Sequence, residues 1–436
     1  MENYSLLCDA ELEGKKVLLR AGFDVSYEVM EEIDELPQDD EGEKWVEVSG
    51  IASVDDESEV VLHARVSDPS RIEAIVPTMQ EILKQKAALI IMAHQSRPKG
   101  KRVASMSQKP LIPVLERLLG KEVQFAEDCT GPQARQMAED LKPGEVLLLE
   151  NLRYNKGEKK NCPELSASLA DLADVYVNDA FPNCHREHAS MVGITEHLPS
   201  YMGLQLQKEV ENLSEVRDNP QKPFTLIVSG AKMETKVPVI EHFLDKGNDV
   251  LLGGCIANTF IAADGKNVAR SKYEEEHVPT AVEILKKSGK NGNACVHLPT
   301  TVVVASESTD EAQKEDVSVK AVGEDKAIYD IGEETVAHYA RIIGESKMIV
   351  WNGPVGVYET DQFAAGTKAI ASAIAEATRN GAKSFIGGGD TIDFHTRNPE
   401  YSLSDYTFAS TGGGAMLAFI SGEELPALKA LSKSVS

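Results

Sequence analysis

No stretch of this 436-residue chain approaches the roughly 20 consecutive apolar residues that a membrane helix requires, so a helical membrane protein is not expected. Basic residues are in deficit: 45 Lys and Arg against 70 Asp and Glu give a formal net charge of −25, a field that repels nucleic acid and anionic lipid. Any anionic ligand must therefore be held by cations gathered locally. Cysteines are sparse too, and Cys8, Cys129, Cys162, Cys184, Cys255 and Cys295 include no CxxC pair and no histidine at metal-ligand spacing. Reduced thiols are expected, rather than a disulfide framework or a zinc site. The opening MENYSLLCDAELEGKK has acidic residues where a signal peptide has basic ones, so a cytoplasmic protein is expected. GxxxxGK[ST] and GxGxxG are both missing, which removes the two commonest phosphate-binding loops.

What remains is a composition of 42% hydrophobic and 26% charged residues, that of a globular protein, in a chain long enough for two large domains. Short apolar runs recur, each ending in a polar or glycine turn: VLLR (17–20), ALIIM (88–92), EVLLLE (145–150), DVYVN (174–178), TLIVSG (225–230), DVLLGG (249–254), MIVWNG (348–353) and SFIGGG (384–389). Amphipathic segments separate them. In PSRIEAIVPTMQEILKQ, for example, Ile72, Ile75, Met79, Ile82 and Leu83 form one stripe. This alternation indicates α/β architecture with two doubly wound, Rossmann-like parallel sheets. An amphipathic run at 204–218, followed by NPQKPF, marks an interdomain helix. The expected division is 1–203, a hinge at 204–221, a second domain at 222–409 and a terminal segment at 410–436. Ligands of such sheets bind beyond the carboxyl ends of the strands, so the site should be a cleft.

From Glu28 to Glu59 the chain is rich in carboxylates, with Lys44 the single basic residue. WVEVSGIASV (45–54) and EVVLHARV (59–66) nevertheless alternate like a hairpin, so a solvated, partly β insertion is expected at about 28–65.

Four glycine turns follow strands in the second half: SGAKMETK, GGCIANTF, GGGDT and TGGGA. A strand that ends in glycines and opens a helix lets backbone N–H groups approach a phosphate, although helix-packing glycine is the plainer reading of any one of them. Lys232 and Lys236 lie four apart, on one face if helical; they could follow a phosphoryl group or be solvated surface lysines. In the first half Arg71, His94, Arg97, Arg153 and Arg186 all fall just after a strand or at a helix start, where guanidinium forks suit phosphate and carboxylate. Singly each is an ordinary surface arginine; jointly they point to an anionic ligand. His185 and His188 read as satisfied structural histidines. Asp390 is either a helix N-cap or a Mg²⁺ ligand, and Glu359 a ribose acceptor or a surface carboxylate.

Taken in order, LLLENLRYNKGE, YVNDAFPNCHREHAS, SGAKMETKVPVIEHFLDK, VWNGPVGVYE, FIGGGDT and ASTGGGAMLAFISGEELPAL closely resemble the phosphoglycerate kinases along nearly the whole chain. The resemblance implies that fold, with two domains facing a cleft, and reversible phosphoryl transfer between Mg²⁺-ATP and 3-phosphoglycerate by a monomer. It implies a substrate site of Gly22, Phe23, Asp24, Arg71, His94, Arg97, Arg153 and Arg186. It also implies a nucleotide site of Lys236, Asn352, Pro354, Glu359, Gly388, Gly389, Asp390 and Thr391, with Mg²⁺ on Asp390. Arg71, Lys232, Lys236, Gly389 and Gly412 would attend the transferring group.

The chain departs from the family at RAGFDVS (20–26), which stands where the family reads close to R-x-D-x-N-x-P. Gly22 replaces Asp, Asp24 replaces Asn and Ser26 replaces Pro. Gln95 and Ser96 replace Leu and Gly; Ser229 and Cys255 replace glycines; Asn258 replaces Tyr. These changes support a second reading, a kinase-like nucleotide-binding protein with weak turnover or another acyl phosphate. A third reading makes the insertion an interaction arm.

Overall fold

The computed structural model describes residues 4–31, 44–246 and 249–433. They form two compact units, 1–211 with 424–436, and 212–423. Each is built on a six-stranded, all-parallel sheet.

In the first unit the strand order is Val123–Ala126, Val146–Leu149, Ala88–Met92, Lys16–Ala21, Val175–Asp179, Ser200–Met202. Ala88–Met92 and Val146–Leu149 are wholly apolar because both faces are covered, and they and Val175–Asp179 are buried along their full length. The order in which strands are added reverses beside Lys16–Ala21, whose neighbours are Ala88–Met92 and Val175–Asp179. A crevice for a ligand is expected at the carboxyl ends of these three strands. The amphipathic stretch after residue 69 is two helices rather than one, Ser70–Glu73 and Val76–Lys84. Pro77 has no N–H to donate and its ring opposes the carbonyl four residues back, so the first helix stops at Glu73. The apolar stripe survives the break: Ile72, Ile75, Met79 and Ile82 are buried.

The alternating segments at 45–54 and 59–66 pair as antiparallel strands, Val46–Ile51 with Glu59–Val66, and Tyr27–Glu31 joins the far side of Glu59–Val66. One face of this small sheet buries Val48, Leu62 and Ala64 against Ala104. Residues 32–43, the acidic centre of the expected insertion, lie outside the described residues.

In the second unit the order is Cys295–His297, Asp249–Leu252, Phe224–Val228, Met348–Asn352, Lys383–Gly387, Phe408–Ser410. The switch falls between Phe224–Val228 and Met348–Asn352. A separate three-stranded antiparallel sheet contains Thr301–Ala305, Glu315–Ser318 and Ala327–Ile331. Fully buried Trp351 anchors the core, its ring against Phe394, His395 and Tyr406.

The amphipathic run at 204–218 forms the helix Leu204–Asp218. Its unpaired N-terminal N–H groups are met from the first unit: Leu204 donates to Thr78 Oγ1 at 2.9 Å and Leu206 to Asp179 Oδ1 at 2.7 Å. Burial pushes the Asp179 carboxyl up to about 7, against the pull of Thr78 and of the Leu206 and Gln205 N–H groups. The native state therefore binds more protons than the unfolded chain between about pH 4 and 7, and this group's stabilisation is lost as pH rises through that window. Asp179→Asn, which keeps the acceptor but cannot ionise, should flatten that decline relative to wild type when urea midpoints are compared from pH 5 to 7.5.

Candidate functional site

The first unit gathers cations around the end of the strand Lys16–Ala21. Arg20 is fully buried, a position for which nothing in the sequence marked it beyond an arginine closing an apolar run. Its Nη2 donates to His94 Nδ1 at 2.9 Å and its Nε to Ser190 Oγ at 3.1 Å. Ser190 Oγ in turn donates to the buried Glu158 carboxylate at 2.6 Å. Because a guanidinium can only donate, His94 Nδ1 accepts and its proton sits on Nε2, 3.4 Å from Asp24 Oδ2. Burial, with Arg20 and Arg153 nearby, lowers the His94 pKa to about 4 despite the pull of Asp24, so the ring is neutral at pH 7.

Asp24 is thus not an unmet charge. Its Oδ1 accepts from the Ser96 N–H at 2.8 Å. Arg71 Nη1 donates to the Asp24 carbonyl at 2.8 Å. Burial pushes the Asp24 carboxyl up, but the His94 and Ser96 hydrogen bonds and the Arg71 charge outweigh it and hold it below the usual carboxylate range. Phe23 turns its ring into the core and offers only its carbonyl, 3.5 Å from Arg71 Nη1. Gly22 packs on the loop after the strand Val175–Asp179, where an added Cβ would meet Ala180 Cα at 3.2 Å.

Asn151, passed over in the sequence, ties two of the loops together: its Oδ1 accepts from the N–H groups of Gln95 and Arg153, and its Nδ2 donates to Gln95 O at 2.8 Å. Arg153 Nη1 donates to Ser96 O at 2.7 Å, while its buried Nε has no hydrogen-bond partner; burial and Arg20 lower its pKa to about 10. Arg97 and Arg186 are exposed and make no ion pair with any described residue. Burial, then Arg20, Arg153, His94 and Arg186, depress His188 to about 3, which shows how closely the cations crowd. His185 and His188 are not fully satisfied, contrary to expectation: each leaves a buried Nδ1 without a hydrogen-bond partner.

In the second unit the glycine turns lie at the carboxyl ends of the parallel strands. Lys236 caps the helix Val237–Leu244, and its Nζ donates to Asn352 Oδ1. Burial lowers its pKa to about 8, partly offset by Asp390. Lys232 lies outside that helix, in the loop before it, because Pro238 fixes the helix start at Val237. The two lysines therefore do not share a helical face.

Asn352 also donates from Nδ2 to Gly387 O at 2.7 Å, joining neighbouring strand ends. Gly388 has φ +110°, and a Cβ there would sit 3.0 Å from Asn352 Nδ2. Gly388 is the N-cap of the helix Gly389–Arg397, so the N-cap reading of Asp390 fails; Asp390 is exposed on the first turn and caps nothing. Buried Thr391 accepts at Oγ1 from the Gly353 N–H at 2.8 Å. The turn at 412–414 abuts this one: a Cβ on Gly413 would meet Gly388 Cα at 3.2 Å. Pro354 accepts at its carbonyl from Ser229 Oγ, so the hydroxyl at that altered position is absorbed locally. Glu359 is exposed.

These two clusters can do complementary things. One offers guanidinium groups and histidines to a compact anion; the other offers glycine N–H groups, an ammonium group and a free carboxylate to a phosphate chain.

Comparison with known proteins shows the family and the fold. The family model described as phosphoglycerate kinase matches residues 53–423. Phosphoglycerate kinases of Chloroherpeton thalassium and Moorella thermoacetica are 42% identical over 371 residues (85% of this chain, 92% of theirs) and 38% over 427 (98% of each). Solved phosphoglycerate kinases of Coxiella burnetii (TM-score 0.78, 32% identity, 99% of this chain and 100% of that one) and Pyrococcus horikoshii (0.80, 29%, 99% of each) share the fold.

Two outcomes follow from the geometry. Thr391→Val leaves the Gly353 N–H without its acceptor and should lower unfolding stability by about 1–3 kcal/mol in urea titrations. Asp24→Asn removes a charge that favours the His94 imidazolium, so NMR should show His94 titrating further below its native value of about 4.

Proposed function

Because the chain belongs to the phosphoglycerate kinase family, we propose that its two clusters divide one reaction, the first unit holding the phosphoglycerate and the second the nucleotide. The chain is a phosphotransferase with a carboxyl group as acceptor, and its reaction is transfer between 1,3-bisphosphoglycerate with ADP and 3-phosphoglycerate with ATP. Nothing in the comparisons favours the alternative of a kinase-like nucleotide-binding protein with weak turnover or another acyl-phosphate substrate.

Arg71, His94, Arg97, Arg153 and Arg186 receive the substrate's anionic groups, with Gly22, Phe23 and Asp24 shaping the floor. The carrying observation is that Arg97 and Arg186 stay exposed without ion-pair partners among the described residues of a chain of net charge −25. Lys236, Asn352, Pro354, Glu359, Gly388, Gly389, Asp390 and Thr391 form the nucleotide side. Asp390 suits Mg²⁺, being an exposed, uncapped carboxylate, and such an ion takes one or two carboxylates together with phosphate oxygens. When bound, Mg²⁺ neutralises charge across the phosphates.

The attacking carboxylate is already ionised at neutral pH, so no general base is required. Transfer needs alignment and donors around the spread charge of the phosphoryl group, a role we assign to Arg71, Lys232, Gly389 and Gly412. The helix Leu204–Asp218 starts in one unit and ends in the other, which supports it as the hinge that brings the two ligands together. A cytoplasmic enzyme is further supported by six free thiols, and a monomer by the small number of exposed large apolar side chains, three among the described residues: Val29, Met30 and Val61.

The test is a coupled assay of the purified protein with Mg²⁺, ATP and 3-phosphoglycerate. Turnover is expected, with Arg71→Ala and Lys232→Ala each losing about 10²–10³ in kcat at unchanged circular dichroism. A folded wild type without turnover, or variants with wild-type kcat, would overturn these roles.

A further inference from the structure

Asp249, Cys295 and His297, on two neighbouring strands at one edge of the second sheet, bring one ligand atom each to within 4.8 Å of one another. Linear spacing hid this group. Parallel pairing creates it: Asp249 lies beside Cys295 and Leu251 beside His297, so the side chains of Cys295 and His297, two apart on one strand, share a face with that of Asp249. Asp249 and Cys295 open their strands, whereas the glycine turns follow the strands' carboxyl ends.

The group is also held in place. The edge strand is pinned where Val296 N–H donates to Ser288 Oγ at 2.8 Å and where Tyr339 Oη donates to His297 O at 2.9 Å. His297 Nε2 faces Asp249 Oδ1 at 2.7 Å, and its Nδ1 faces His338 Nε2 at 3.1 Å. Cys295 is a free, exposed thiol.

We propose that Asp249, Cys295 and His297 form a site for one Zn²⁺ ion, a function separate from phosphoryl transfer. A thiolate, an imidazole and a carboxylate are the three ligand types zinc accepts, at about 2.0–2.3 Å, and three protein ligands leave the fourth tetrahedral position to water. The mixed soft and nitrogen donor set disfavours Mg²⁺, which prefers an oxygen octahedron. One thiolate and one carboxylate balance the dipositive ion, so the filled site is neutral. On binding, the Cys295 thiol proton is released to solvent and His297 moves its ring proton from Nε2 to Nδ1. There it donates to His338 Nε2, with His338 carrying its own proton on Nδ1. His338 thus supplies the outer hydrogen bond that orients a ligating imidazole.

Co²⁺ serves as the spectroscopic probe for zinc in the full-length, metal-free protein. The expected result is a thiolate-to-cobalt absorption band that saturates at one equivalent and is bleached by Zn²⁺. It should vanish in Cys295→Ser and in His297→Gln and persist in Cys8→Ser, which removes the other exposed free thiol among the described residues, with kinase turnover intact in all three. Zn²⁺ at about 100 times its Kd should also raise the folded-to-unfolded ratio about 100-fold in wild type and not in Cys295→Ser. Absence of the band, its survival in Cys295→Ser, or its survival in His297→Gln, which would mean a lone thiol, overturns the site.

Discussion

A guanidinium with no exposed surface, that of Arg20, is the interaction on which the first half of the site depends. Burying a cation is costly unless it is hydrogen-bonded, and here each of its three nitrogens has an acceptor: His94, Ser190, which relays to Glu158, and the Ala21 carbonyl. The consequence passes outward. Arg20 fixes the His94 tautomer, His94 presents Nε2–H to Asp24, and Asp24 also takes the Ser96 N–H, which fastens the first strand's loop to that of the next strand. Arg71 and Arg153 then bind backbone carbonyls of those same loops, Asp24 O and Ser96 O. Their positions are set without carboxylate partners, leaving charge for an incoming anion.

The second half meets the same demand with dipoles. In a chain of net charge −25 a phosphate chain cannot rely on the overall field, and backbone N–H groups at helix starts add positive potential without adding mobile cations. Asn352 joins the arrangement by accepting from Lys236 and donating to Gly387. The glycine at 388 follows from close approach as much as from its φ of +110°, since a side chain there would press on Asn352.

Much of this was legible in the sequence because it is local. Long apolar runs gave the inner strands, and glycines after strands marked the phosphate-facing turns. What depends on tertiary pairing was not legible. The edge strands Ser200–Met202, Cys295–His297 and Phe408–Ser410 are only three residues long, too short for a periodic pattern to show. Arg20 and Asn151 look ordinary until the loops meet, and the partners of Asp24, His94 and Ser96, are distant from it in sequence. The spacing of Lys232 and Lys236 would put them on one face of a helix, and Pro238 decides otherwise by starting the helix at Val237. Asp390 could be read two ways until Gly388 proved to be the cap.

The central claim is that the two clusters bind different anions independently. Calorimetric titration of Mg²⁺-ATP and of 3-phosphoglycerate, each alone, into Arg153→Met and Lys236→Met proteins tests it most directly. The account predicts that Arg153→Met loses phosphoglycerate binding and keeps the nucleotide, and that Lys236→Met does the reverse. Loss of both ligands in either folded variant, or of neither in both, would contradict it.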